Sequence, residues 1–337
     1  MPILTSVGFQ VLRRLAKARL RWGREPDGLI VLTLHHVFES EAESRSGLVD
    51  PMQGTTLADL RFLLEYFESA GYRLIAPTEI ERALAGGKSL LLTFDDGYAD
   101  NLRAQPLLEA IGVPALVFVS TGHVLEQKCF WWDVLYRERV RQGTPMDAIL
   151  KEQERLRALP YPELEPYLRQ TFGEAALRPR GEIDRPMTAA ELADLSRRPN
   201  WFVGNHTHDH AILTNCTDEQ VRDQILRCQT ILGELTGQQP ACVSYPGGYF
   251  SNSILEIVQQ CELTFGFTMI PRKNLPAFDG DASPVLALGR FLPDANRPLR
   301  AQCEIFRANA MIRRPHLTGW KIRRQAAEAK PATSTTP

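Results

Sequence analysis

The sequence has no run of apolar residues near the roughly 20 that a membrane-spanning helix needs. It also lacks a C-x-x-C pair, a G-x-S-x-G and any excess of basic residues. Each absence removes a class of function. No transmembrane helix is expected. With 39 Lys and Arg against 40 Asp and Glu, the net charge of -1 lacks the cationic footprint of a nucleic-acid binder. The six cysteines, Cys129, Cys216, Cys228, Cys242, Cys261 and Cys303, are scattered, and a chain of 337 residues needs no disulfide framework, so they are expected as reduced, buried, small apolar residues. The missing nucleophile elbow argues against a serine hydrolase. G-G-K-S at 86–89 hints at a phosphate loop, but Arg82 holds the place of its first glycine and the strand comes after it. There is no internal repeat.

The N-terminal segment, 1–27, lacks the order of a secretion signal, which is charge first and apolar core second. Instead Val7, Val11, Leu12, Leu15 and Leu20 alternate with Arg13, Arg14, Lys17, Arg19 and Arg21. That pattern is a basic amphipathic helix, to be packed on the protein itself or laid peripherally on an anionic inner-membrane surface. Cytoplasmic residence is the expectation.

What is present is a rhythm of short β-branched-rich runs separated by helical segments. L-I-V-L-T-L (29–34), L-L-L-T-F (90–94), P-A-L-V-F-V-S (114–120), W-F-V-G-N (201–205), A-C-V-S-Y (241–245), F-G-F-T-M (265–269) and V-L-A-L-G-R-F (285–291) read as strands buried on both faces. About seven parallel strands with helices between them predict an α/β fold, open sheet or barrel. The principal domain is expected at 28–300. From about 123 to 199 the text is helical and charged, an insertion on one face. The extension 301–337 ends in a polar stretch expected to be disordered.

The unusual polar residues fall directly after strands: His35-His36, Asp95-Asp96, His206 to His210, and Tyr245 to Gly248. In a β/α barrel this is the face on which active sites are built. His206 and His210, four residues apart, can face one point; with a carboxylate they make a three-ligand metal site with a position left for water. Such a cation brings the pKa of its water to about 7. One aspartate of the pair can then be a ligand, its charge neutralised, while its neighbour takes a proton from the water. An isolated H-x-x-x-H or D-D is more often coincidence; both together, each after a buried strand, are not. His208 is expected to point away and lie at the surface, and His123 and His316 to be structural.

T-F-D-D-G-Y at 93–98 and H-T-x-x-H at 206–210 resemble the first two motifs of the NodB-homology polysaccharide deacetylases, carbohydrate esterase family four. The resemblance runs from about 29 to 292 and includes F-W-W-D at 130–133 and G-V-P-A at 112–115. It implies a distorted (β/α) barrel that hydrolyses N-acetyl groups on amino sugars. Asp95 would be the general base; Asp96, His206 and His210 would hold one divalent cation, zinc with cobalt or nickel as alternatives. Thr207 would pack the motif. S-Y-P-G-G at 244–248 matches the third motif, with Tyr245 lining the groove and the Gly247 backbone N–H meeting the oxyanion.

Two departures stand out. Ser244 occupies the place of an arginine that orients the base, and Arg290 stands where a late histidine protonates the leaving amine. An arginine cannot donate usefully because its pKa stays above 12, so Arg290 is left to orient Asp95 or grip substrate. His35 becomes the candidate acid, because L-H-H-V resembles the Y-H-x-V of other branches, with His36 a bystander. Trp131, Trp132 and Trp201 are read as shaping one end of the groove or as core.

The expected function is a metal-dependent hydrolase acting on an N-acetylated amino-sugar glycan, polymeric or lipid-linked. A deformylase on a lipid-linked formamido sugar and a catalytically silent glycan-binding barrel are the alternatives. An Fe(II) oxygenase with a 2-His-1-carboxylate site is set aside, because the acid lies 110 residues before His206 and the chain alternates strand and helix.

Overall fold

The computed structural model describes residues 6–23, 25–276 and 285–310. His316 and the polar tail lie outside the described residues. Among the described residues there are nine strands: β1 Gly28–Leu34, β2 His36–Phe38, β3 Gly54–Thr56, β4 Arg73–Leu74, β5 Lys88–Phe94, β6 Ala115–Val119, β7 Trp201–Asn205, β8 Cys242–Ser244 and β9 Phe265–Phe267. Seven form one all-parallel sheet in the order β1-β5-β6-β7-β8-β9, with β4 pairing the first part of β5; β2 and β3 make a separate parallel pair. The apolar runs explain this. β1 and β6 are buried along their whole length and β5 along all but its first residue, so both faces of the sheet must be covered.

The expected last strand at 285–291 is the main departure. Val285–Ala287 is a short 3-10 turn, and the residues after it touch the sheet only through single parallel bridges, Leu288 to Phe267 and Phe291 to Leu32. Gly289 sits between them, and a Cβ there would meet Arg272 and the Ile270 carbonyl at 2.2 and 2.7 Å. The segment therefore spans the gap between β9 and β1 without a regular ladder, and the sheet is a half-barrel curled toward closure. This placement also carries Arg290 into the interior, where it is fully buried.

Between β6 and β7 the chain runs through the helices Thr121–Glu126, Trp131–Arg141, Met146–Arg157, Tyr161–Phe172 and Ala189–Ser196. The middle three close on a small core of their own, Val134, Leu135, Leu156, Leu168 and Leu177. The capping boxes at Thr188 and Thr217 fix where helices start after loops. All six cysteines are free, and no helix among the described residues is long and apolar enough to cross a membrane.

The helix α1, Ser6–Arg21, sets Phe9, Leu12 and Ala16 into the main core beside the helix Leu299–Arg307. Glu25, at the turn into β1, ties the elements at this end together. Its carboxylate accepts two bonds from Arg307 (2.9 and 2.6 Å), one from Lys88 (3.0 Å) and one from the Tyr72 hydroxyl (2.7 Å). Burial works to raise its pKa, but these donors outweigh it and hold the group at about 2, against an ordinary 4.5. A depressed folded-state pKa gives stability that is present above 4.5 and lost as the pH falls toward 2. Glu25→Gln is expected to cost roughly 2 kcal/mol at pH 7, and the difference from wild type in chemical denaturation should shrink below pH 4.5.

Candidate active site

The two carboxylates after β5 are fully buried and face opposite fates. Asp95 accepts two bonds from Arg290, Nη1 to Oδ1 and Nη2 to Oδ2, both at 2.7 Å. The Ser244 hydroxyl donates to Oδ2 at 3.1 Å while accepting from Arg290 Nη2 at 2.8 Å. Arg290 is itself aimed by its Nε–H bond to the Thr268 carbonyl. Burial pushes the Asp95 carboxyl up, but Arg290 and then His206 pull it below the usual range, so it stays ionised. An arginine that orients Asp95 is therefore present, delivered by the bridging segment rather than from position 244. Of the two roles left to Arg290, orienting Asp95 or gripping substrate, these bonds favour the first, with Arg290 and Ser244 meeting across the barrel.

Asp96 is placed differently. Its φ of 75° is left-handed, unusual for a residue with a side chain, and Gly97 follows at 79°. A Cβ on Gly97 would also press on Val119 at 3.2 to 3.5 Å, which accounts for the glycine after the two aspartates. The turn swings Asp96 toward His206 and His210. Their Nε2 atoms stand 3.2 and 3.3 Å from Asp96 Oδ1, yet both carboxylate oxygens are buried without a hydrogen-bond donor. The candidate ligand atoms of Asp96, His206 and His210 lie within 4.8 Å of one another.

The imidazoles are prepared for lone-pair donation. His206 Nδ1 lies 2.7 Å from the Ser244 carbonyl, which can only accept, so this nitrogen carries a proton and Nε2 is the atom available to a cation beside Asp96. His210, left-handed at φ 51°, is pushed down to about 3 by burial and is neutral. His206 is raised because Asp95 and Asp96 outweigh the opposing effect of burial, and Asp96 is held well below the ordinary carboxylate range, by His206 first, against its own burial. A buried carboxylate with no donor, converging on two imidazole nitrogens, is a donor set that suits a divalent cation such as zinc.

The loop carrying these histidines is locked from below. Asn205 Oδ1 accepts from Thr207 N–H and its Nδ2 donates to the Ile225 carbonyl, while Thr207 Oγ1 accepts from Ala211 N–H. Gln224 clamps both backbone and carboxylate of Asp209. His208 does point away from Asp96, but it is buried rather than at the surface, its Nδ1 2.8 Å from Thr121 Oγ1. His36, read as a bystander, has a partner of its own. It is fully buried against Asp100 (2.9 Å) and over the Tyr98 ring. His35 is partly exposed, with Nδ1 buried and unpartnered; burial lowers its pKa against the pull of Asp96 and Asp95.

The third motif needs one correction. Tyr245 is fully buried, its hydroxyl donating to the Leu286 carbonyl and its ring stacked on Phe250, so its side chain does not line an open groove. A large aromatic after a strand satisfies core and groove equally well in sequence; here the Leu286 carbonyl supplies the buried hydroxyl's partner. Gly247 is exposed at φ 64°, in the turn that Gly248 N–H closes onto the Tyr245 carbonyl.

The insertion reaches the site through F-W-W-D. The Trp132 ring lies 4.5 Å from His210, and its Nε1–H donates to the Tyr98 hydroxyl, which donates in turn to Asp133. Burial raises Asp133 to about 7. Phe130 stacks on His123 at 3.9 Å. Trp201 is core, stacked on Phe94.

A family model described as polysaccharide deacetylase matches residues 83–266, just over half of the chain. The curated Bacillus subtilis protein named "Putative polysaccharide deacetylase YxkH" is 20% identical over 214 residues, 62% of this chain, and the match spans only 56% of that protein's length. Among solved structures, the Streptococcus pyogenes deacetylase PplD in complex with acetate is similar at 17% identity with a TM-score of 0.57, over 83% of this chain and 99% of that one. IcaB from Ammonifex degensii is similar at 22% identity and a TM-score of 0.56, over 83% and 98%. At these identities the structural likeness concerns the fold.

Calorimetric titration with zinc is expected to show one site, lost in Asp96→Asn and His206→Ala and retained in Asp95→Asn. Arg290→Met leaves a buried carboxylate uncompensated and should lower stability by about 3–5 kcal/mol, read by chemical denaturation.

Proposed function

The chain belongs to the polysaccharide deacetylase family, and on that premise we propose that it removes the N-acetyl group from an amino sugar of a glycan. The single observation that carries this reading is the division of labour between adjacent aspartates. Asp95 is kept charged by Arg290 and Ser244, with Oδ2 3.9 Å from His206 Nε2, while Asp96 turns to the imidazoles. A pure binding site has no need of a buried, charged base beside a ligand set, which disfavours the silent-barrel alternative.

Asp96, His206 and His210 would hold one divalent cation, zinc by donor chemistry with cobalt and nickel able to substitute. When bound, the cation would acidify water and polarise the amide carbonyl, the Lewis-acid contribution that neutral-pH hydrolysis requires. Asp95 takes a proton from the attacking water, and Arg290 holds its carboxylate in one rotamer while it does so. The Gly247 N–H, exposed at its turn, meets the oxygen on which negative charge develops. His35 delivers a proton to the departing nitrogen. It rests neutral because burial outweighs the neighbouring aspartates, so the proton that Asp95 collects must recharge it. Water gives its hydroxyl to acetate and its proton to the amine, and the count balances. Tyr245 contributes by anchoring the turn rather than by touching sugar.

The substrate class proposed is an N-acetylated amino-sugar glycan, met in the cytoplasm. The formyl alternative has no observation in its favour. Acetate release from N-acetylglucosamine oligomers by the zinc-loaded protein should vanish on chelation and return with zinc. Asp95→Asn is expected to keep its metal and lose turnover by about 10²–10⁴-fold, and His35→Ala by about 10²-fold. Undiminished turnover in Asp95→Asn would remove the base; an unchanged rate in His35→Ala would move the acid elsewhere.

A further inference from the structure

The helix α1 is apolar on two adjoining faces. Phe9, Leu12 and Ala16 are buried in the protein core. Beside this face Val7, Val11 and Leu15, each four residues apart, continue in line to Trp22 just past the helix end, and they are 75%, 47%, 51% and 76% exposed. A helix packed on a globular protein ordinarily turns a polar face outward. Here a stripe of valine, leucine and tryptophan stays exposed along one side of the outward surface.

Its flanks are cationic. Residues 6–21 include Arg13, Arg14, Lys17, Arg19 and Arg21 and no acidic residue, in a chain whose net charge is -1. Arg14, Lys17 and Arg21 are exposed and in no ion pair among the described residues. Arg19 instead reaches the Ala308 and Asn309 carbonyls at the end of Leu299–Arg307, fixing α1 to the body of the protein. The stripe is therefore held rigidly rather than on a tether.

We propose that this stripe docks on an anionic lipid surface, with Val7, Val11, Leu15 and Trp22 entering the headgroup–acyl boundary and Arg14, Lys17 and Arg21 meeting the headgroup phosphates. Charge complementarity selects this occupant. A second copy placed symmetrically on the stripe would bring cations against cations. The chain's own segment 311–324 carries Arg313, Arg314, Lys321, Arg323 and Arg324 with no acid, so it has the same sign as the flanks it would have to cover. A tryptophan at the end of such a helix suits an interface, apolar on its ring and able to donate from its nitrogen.

The orientation comes from the fold. The Phe9 ring lies 4.6 Å from the Arg297 guanidinium, which comes after Phe291 and its bridge to the upper part of β1, whereas the end of α1 leads into the start of β1. The first turn of α1 is thus on the end of the sheet where Asp95, Asp96 and the histidines stand. The surface contact would set the mouth of the site beside the lipid, and it does not depend on the proposed chemistry.

The test is flotation of the full-length protein with vesicles of phosphatidylcholine alone and of phosphatidylcholine with about one-third phosphatidylglycerol. Binding is expected only to the anionic vesicles and should weaken as salt is added. The variant Val11→Ser/Leu15→Ser/Trp22→Ser and the variant Arg14→Glu/Lys17→Glu should each bind about tenfold more weakly or less, with unchanged thermal unfolding and unchanged acetate release from a soluble oligomer. Failure of the wild-type protein to float, or equal flotation of the serine variant, overturns the proposal. So does a lipid-free dimer in sedimentation velocity that the serine variant converts to monomer, since the occupant is then a second copy. Acetate release reports on the metal-ligand cluster and flotation on α1, so failure of one reading is distinguishable from failure of the other.

Discussion

Two adjacent carboxylates buried at the end of one strand would repel and resist desolvation unless each were neutralised separately, and the architecture around β5 does this. Asp95 is met by the buried guanidinium of Arg290, and Asp96 is turned by a left-handed backbone toward His206 and His210. Everything else at the mouth serves that separation. Gly97 permits the turn, Ser244 links Asp95 and Arg290 through its hydroxyl while its carbonyl fixes the His206 tautomer, and Asn205 holds the histidine loop.

The position of Arg290 shows how such a site can be rebuilt from different parts of a chain. The segment that carries it forms no regular strand, only single bridges on either side, and that irregularity lets its side chain turn inward to Thr268, Ser244 and Asp95. A serine at 244 then makes room for the guanidinium where a long side chain would collide with it. The helical insertion adds a second support from the opposite side, with Trp132 against His210 and Tyr98 bridging Trp132 to Asp133.

Much of this is legible in the residues alone. The buried run of β5 ending in two aspartates, and two histidines four apart after β7, point to the candidate cluster of Asp96, His206 and His210 because local spacing and strand ends determine where those side chains face. The parallel α/β sheet is implied by the alternation of apolar runs and helices, and its curling into a barrel by the family resemblance. The parts that are not legible depend on contacts between distant residues. Spacing leaves Arg290 two roles, and only the bonds that Asp95 accepts from it decide between them. Tyr245 goes into the core because the Leu286 carbonyl, 41 residues away, satisfies its hydroxyl. His36 and His208 are buried because Asp100 and Thr121 give them partners. The 285–291 run looks like a strand by composition, but Gly289 and the turn at Val285 leave it no ladder. The amphipathic pattern of α1 points to one buried face and cannot show that Val7, Val11 and Leu15 are left outside it.

The central claim is that Asp96, His206 and His210 hold one cation while Asp95, a residue away, does not. Anomalous diffraction at the zinc edge from crystals of zinc-loaded protein tests it directly. The account requires one strong peak at about 2.0–2.2 Å from an Asp96 oxygen and both Nε2 atoms, with Asp95 still bound to Arg290. A peak ligated by Asp95, or one that leaves either histidine outside bonding distance, would contradict it.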